Sequence, residues 1–181
     1  MQYSIHSPNE FIQSNLDQLL PDWLLPVLSV LVVLQLCQLA LVERTIDTEN
    51  CKNQSRQQFI EFGGKIVARL RAIGYLAELF DPQTGLPMTS PPGQLRLDDV
   101  AVVHSVLGYS TTDNGACKTL IHPTWGRAVY PSILLSSAPP HVLEGVVKRI
   151  VASTCNTAFP LPGFTTLERG LSERPVVSAP K

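Results

Sequence analysis

The segment Trp23–Val42 constrains this chain more than any other. It reads WLLPVLSVLVVLQLCQLALV and is 20 residues long, about the reach of a membrane helix. Pro26, Ser29, Gln35 and Gln38 interrupt it. Asp17 and Asp22 precede it, and Glu43 and Arg44 follow. No excess of positive charge therefore marks one side as cytoplasmic. Val and Leu dominate Val27–Leu34, which fits a strand buried on both faces. The strand is the preferred reading, and a membrane-anchored interaction protein is the competing one. Cys37 is expected to pack here as a small apolar residue.

The 181 residues suffice for one core and are too few for two comfortable domains. The net charge is −1, and there is no Lys/Arg cluster, so nucleic acid is not an expected partner. The cysteines are Cys37, Cys51, Cys117 and Cys155, separated by 14, 66 and 38 residues. None forms a C-x-x-C pair, which disfavours a zinc ribbon or a thioredoxin-like site. The polar start, Met1–Gln13, is read as the beginning of a helix rather than a secretory signal. A reducing compartment, the cytoplasm, is the expected location.

Ser7-Pro8-Asn9-Glu10 has the form of a capping box at Ser7. Phe11, Ile12, Leu16, Leu19 and Leu20 follow at helical spacing, and Pro21 closes that helix. Glu43–Asn53 reads as a loop or short strand. Ser55-Arg56-Gln57-Gln58 offers a second box. Phe59, Phe62, Ile66, Val67, Leu70 and Ile73 then keep a 3.6-residue period up to Gly74. Tyr75–Phe80 suggests a strand, Asp81–Gly85 a turn, and Leu86–Gln94 an irregular surface loop. Asp98 or Asp99 can cap a helix over Val100–Leu107, closed by Gly108. Thr111–Gly115 reads as a polar turn, with strands at Cys117–Ile121 and Ala128–Leu135. Ser137 is expected to cap a last helix, Pro140–Ala152, with Leu143, Val146, Val147 and Ile150 inward. These elements describe one α+β domain, residues 1–154, built as a single mixed or antiparallel sheet flanked by helices. Residues 155–181 are expected to be a Pro-rich disordered tail.

The densest chemistry lies in Leu107–Gly126, LGYSTTDNGACKTLIHPTWG. Cys117 is either a structural thiol or a nucleophile, and Lys118 beside it points to the opposite face of a strand. His122 can end a strand through a carbonyl hydrogen bond or act as a ligand. Trp125 can anchor the core or stack on a cofactor. The pair Asp98-Asp99 is explained by helix capping, and Asp113 by a turn. No phosphate loop, nucleophile elbow or H-E-x-x-H motif is present.

Arg69–Gly85, RLRAIGYLAELFDPQTG, together with Leu107–Gly126 resembles the methylmalonic aciduria and homocystinuria type D protein family. The matching elements are Leu107-Gly108-Tyr109-Ser110, Asp113–Lys118 and His122-Pro123-Thr124-Trp125-Gly126. Weaker similarity covers Ile5-His6-Ser7 and Leu19-Leu20-Pro21. The resemblance implies a nitroreductase-like α+β fold without flavin chemistry. It also implies a non-catalytic role in intracellular cobalamin (vitamin B12) trafficking. The implied partners are a cobalamin-processing protein and cobalamin-dependent client enzymes. Within the family's Cys-Cys pair, the first cysteine is the one associated with cobalt. That position is Ala116 here, and Cys117 keeps the second, so Cys117 is the candidate cobalt ligand, with His122 and Trp125 as further candidates near cobalamin. A methyl group cannot ligate a metal. On a strand the Cys117 sulfur would point away from the missing one, whereas in a loop it can adjust. The alternative function is a flavin- or thiol-dependent reductase on the same fold.

Overall fold

The computed structural model describes residues 1–114, 117–155 and 165–166. The apolar run is a strand, β2 (Ser29–Leu36), and Val30 through Leu34 are completely buried. Its neighbours are β1 (Gln2–His6) and β6 (Val129–Ser136), both antiparallel to it. β3 (Ala77–Leu79) lies beyond β6, and β7 (Thr165–Thr166) pairs parallel with β1. The resulting order is β3-β6-β2-β1-β7. A separate hairpin of β4 (Thr111–Asn114) and β5 (Cys117–Leu120) makes a second sheet, where a single sheet was expected. Among the described residues no helix is long and apolar enough to cross a membrane.

The central strand is apolar on both sides because each side has its own cover. Leu31 and Val33 join Phe59, Phe62, Ile66 and Leu70 of α3 (Ile46–Ala72) and Leu143 and Val147 of α5 (Pro140–Cys155). Val30, Val32 and Leu34 face the opposite layer. There they meet Ile12 of α1 (Glu10–Ser14), Leu19 of α2 (Leu16–Leu19), Val102 and Val103 of α4 (Asp99–Leu107), and Leu120 of the hairpin. Each such side chain contributes about 1.5–3 kcal/mol by leaving water. The five consecutive residues Val30–Leu34 therefore hold three layers together.

Four local expectations are corrected. The chain opens with a strand, not a helix: Tyr3 is buried and Ile5 packs beside it on the α3/α5 side, a period of two too brief to stand out. The first helix is capped by Asn9, whose side chain accepts the amide of Ile12, rather than by Ser7. α3 begins nine residues before Ser55, with Thr45 and Thr48 forming the capping box. Its early buried positions are Thr48 and Ser55, so the inward stripe is small and polar there and hydropathy does not reveal it. Ser137 does not cap α5; its hydroxyl instead accepts the amide of Leu76 and ties β3 to the end of β6.

Other expectations hold. Cys37 is buried and lies 3.7 Å from the Ser55 hydroxyl, and burial pushes its thiol up to about 12. Asp98 caps α4 through the amide of Ala101, and Gly108 ends it in the left-handed region at φ +69°. Of the expected tail, Cys155 is the last residue of α5 and Thr165–Thr166 form a short strand; the remainder lies outside the described residues.

Two carboxylates organise the connection after β3. Glu78 is fully buried on that edge strand. Its oxygens accept the amides of Leu79, Met88, Thr89 and Ser90 and the hydroxyls of Thr89 and Ser90 at 2.6–3.1 Å. The loop expected to be irregular is thus strapped to the sheet edge. Asp81 receives a two-pronged pair from Arg56, at 2.6 and 3.0 Å, and also the amide of Gln83 and the hydroxyl of Thr84. The Arg56 guanidinium holds the Asp81 carboxyl below its ordinary value.

Candidate functional site

The described residues of Leu107–Gly126 form a hairpin and a turn that buttress one another. After Gly108 turns the chain, the carbonyl of Tyr109 accepts the ring N–H at Nδ1 of His104 at 2.6 Å. The amide of Ile121 donates to the carbonyl of Ser110, closing the base of the hairpin. Thr111–Asn114, expected as a turn, is instead a strand paired with Cys117–Leu120, and Asp113 stands opposite Lys118. The polar residues of β4 suit it because the strand lies outside the main sheet.

The His122–Gly126 turn follows. The backbones of His122 and Gly126 exchange two hydrogen bonds, at 2.8 and 2.9 Å. The His122 ring is buried. Its Nδ1 accepts the amides of both Thr124 and Trp125 at 3.1 Å. A nitrogen accepting two N–H groups carries no proton, so the proton resides on Nε2, which donates to the Gln2 amide oxygen at 3.0 Å. The ring also lies stacked on Trp125 and edge-on to Tyr109. Burial pushes its pKa down, which agrees with a neutral ring holding a turn. Through Gln2 this turn is fastened to β1, more than a hundred residues away in sequence.

Five residues of extended chain, at about 3.4 Å each, put Cys117 on the order of 15 Å from His122. The two candidates are thus at opposite ends of the segment. Cys117 begins β5 opposite Asn114, at the tip of the hairpin. Ala116 lies outside the described residues. Trp125 lines a cavity of about 760 Å³ shared with Gln35 and Cys51. Among the described residues, no group of three or more His, Cys, Asp or Glu side chains is placed to hold a metal ion. With Nδ1 and Nε2 both engaged, His122 offers no free lone pair to a metal centre.

A second cleft of about 410 Å³ lies between the turn after β3, the start of α4, β5 and the start of β6. Its lining includes Asp99, a residue whose role capping does not explain. Asp98 caps α4, and among the described residues both carboxyl oxygens of Asp99 are buried without a hydrogen-bond partner. Burial, together with the nearby charges of Asp98 and Asp81, pushes its pKa well up. The sequence signal was present but incomplete: one helix start needs one capping carboxylate, and this one has two.

These features define a class: a three-layer α+β domain that projects a braced hairpin with a cysteine near its tip. The chain belongs to the methylmalonic aciduria and homocystinuria type D protein family, whose sequence profile matches residues 1–150. It is 26% identical over 146 residues to the Homo sapiens protein named Cobalamin trafficking protein CblD, which covers 80% of this chain and 49% of that protein. Against the Rattus norvegicus protein of the same name it is 26% identical over 138 residues, or 76% of this chain and 47% of that protein. The chain thus spans about half the length of the curated relatives it matches.

Proposed function

We propose that this domain is a cobalamin-handling adaptor: it receives the vitamin from a cobalamin-processing protein in the cytoplasm and presents it onward to cobalamin-dependent enzymes, without turnover of its own. The family match across residues 1–150 is the observation that carries this reading. A nitroreductase-like fold that has lost flavin chemistry is part of the same proposal, as is a Pro-rich tail beyond residue 154. The cargo approaches the hairpin tip, where Cys117 supplies the sulfur, because the methyl side chain at Ala116 cannot ligate cobalt. In this reading His122 is a positioning residue. It fixes the base of the hairpin, and Trp125 packs on it.

The test is a visible-spectrum titration of the purified chain with aquocobalamin, with and without reductant. The expected result is a thiolate-type spectral change that Cys117→Ser abolishes. Identical spectra for the two proteins overturn the role of Cys117. Ala116→Cys is expected to strengthen the change, and no gain there counts against placing Ala116 in the family's cobalt-binding position. A yellow protein as purified would favour a flavin-dependent reductase instead.

A further inference from the structure

Cys37 and Cys51 meet side chain to side chain where the end of β2 passes α3. Cys37 follows the last residue of β2, and its sulfur lies 3.7 Å from the Ser55 hydroxyl. Cys51 stands one helical turn before Ser55, so the two share a face of α3. That spacing also brings the Cys51 side chain within hydrogen-bond reach of Cys37. Among the described cysteines both are free thiols. Two thiols in contact need only side-chain rotation to approach the S–S bond length of about 2.05 Å.

The two thiols are not equivalent. Cys37 is 1% exposed, and its amide is tied to the carbonyl of Ala128. A reagent in solution does not reach it, and its place in the core is explained by packing. Cys51 is only partly buried, and it lines the cavity of about 760 Å³ that Trp125 also borders. One side of this residue thus faces the cavity, and the other meets Cys37. Gln38, Asn50 and Gln54 line the same cavity and offer amide donors and acceptors. Such walls suit a small peptide better than an apolar molecule.

We propose that Cys51 and Cys37 form a redox-active dithiol: Cys51 exchanges with a low-molecular-weight peptidyl disulfide that enters the cavity, and Cys37 resolves the product into a Cys37–Cys51 disulfide. In the first step the Cys51 thiolate attacks one sulfur of the external disulfide. That S–S bond breaks, and the leaving thiolate takes up the proton that Cys51 has given to water. In the second step the Cys37 sulfur attacks the Cys51 sulfur of the mixed disulfide. The second external thiolate leaves and takes the Cys37 proton. Two protein thiols are oxidised to one disulfide, and one external disulfide is reduced to two thiols. The second step needs no access from solvent, which is why a buried Cys37 can serve. The link draws the Cys51 sulfur out of the cavity and fastens the end of β2 to α3. The cavity lining does not include Cys117, and the site does not rest on the cobalamin reading.

The test equilibrates the full chain with mixtures of glutathione and glutathione disulfide, followed by acid quenching and tryptic mass mapping. Cleavage after Arg44 and Lys52 places the two cysteines in different peptides, so a link between them is read directly. The Cys37–Cys51 link is expected to be the dominant product. Its equilibrium constant against glutathione should be at least about tenfold larger in the folded chain than in the same chain in urea, because the fold raises the effective concentration of one sulfur at the other. Cys37→Ser is expected to stop at a single glutathione adduct on Cys51, and folded Cys51→Ser to take no adduct on Cys37. An equal or smaller constant in the folded chain overturns the proposal. So does a wild-type chain in which Cys51 stays unreactive, keeps its adduct without forming the link, or links chiefly to Cys117 or Cys155. These wild-type readings stand even if a variant does not fold. An adduct on Cys37 in folded Cys51→Ser overturns the assigned order of the two steps.

Discussion

The imidazole of His122 lies face to face with the indole of Trp125, with ring centroids 4.2 Å apart and planes inclined by 17°. The same imidazole accepts the Trp125 backbone amide at Nδ1. One side chain thus fixes both the backbone and the ring of its neighbour three residues on. This explains why His and Trp occur together at that spacing: the first closes the turn and the second covers it.

Protonation of His122 would remove the acceptor that two amides share. Its folded pKa lies below the unfolded value near 6.5, so the unfolded chain takes up the proton first. The stabilisation is complete above about pH 6.5 and is lost as pH falls toward the folded pKa, at up to about 1.4 kcal/mol per unit. His122→Asn keeps a side-chain acceptor for the turn but does not titrate in this range. Urea unfolding from pH 8 to pH 5 is expected to show a steeper loss for the wild type than for the variant. Parallel curves would refute it.

The Arg56–Asp81 pair joins α3 to the turn after β3. Asp81 has a lowered folded pKa relative to 3.8, so its contribution is present above about pH 4 and disappears as the carboxylate is protonated below that. Asp81→Asn is expected to cost about 1–3 kcal/mol at pH 7. The difference from wild type should shrink toward pH 3, as read from denaturant midpoints at both pH values.

Glu78 is surrounded by donors, so Glu78→Gln turns an amide NH₂ toward N–H and O–H groups. A loss of about 2–4 kcal/mol is expected. Amide exchange at Met88, Thr89 and Ser90 should accelerate more than exchange in the centre of β2. Uniform acceleration across the sheet would show that the strap has no local role.

Gly85 and Gly108 share nearly the same left-handed conformation, at φ +68° and +69°. A Cβ at Gly108 meets open space, whereas at Gly85 it would stand 2.5 Å from the carbonyl oxygen of Leu97. Gly108→Ala should therefore cost only the conformational term, about 1–2 kcal/mol. Gly85→Ala should cost clearly more, because backbone must move. Thermal unfolding of the two variants measures the gap directly, and equal losses would contradict the crowding at Leu97.

Elements whose cause is local are legible in the sequence. Val27–Leu34 could be read as a doubly buried strand because nearly every residue in it is apolar. The helix ending near Gly74 and the one between Asp98 and Gly108 could be placed because their stripes and caps lie within one element. The motifs of Leu107–Gly126 and their order identified the family. Tertiary structure decided the rest, where a residue's role depends on a partner distant in sequence. β1 is a strand because β2 lies beside it, and the early turns of α3 carry too little apolar surface to announce a helix without the core they rest on. His122 is a neutral turn clasp because Gln2 reaches it from the other end of the chain. Asp99 could be assigned to capping in sequence, yet only the packing of α4 against β5 and β6 shows it buried and, among the described residues, without a hydrogen-bond partner. Burial and hydrogen-bond satisfaction depend on which segments come together in space, and a local pattern does not fix that.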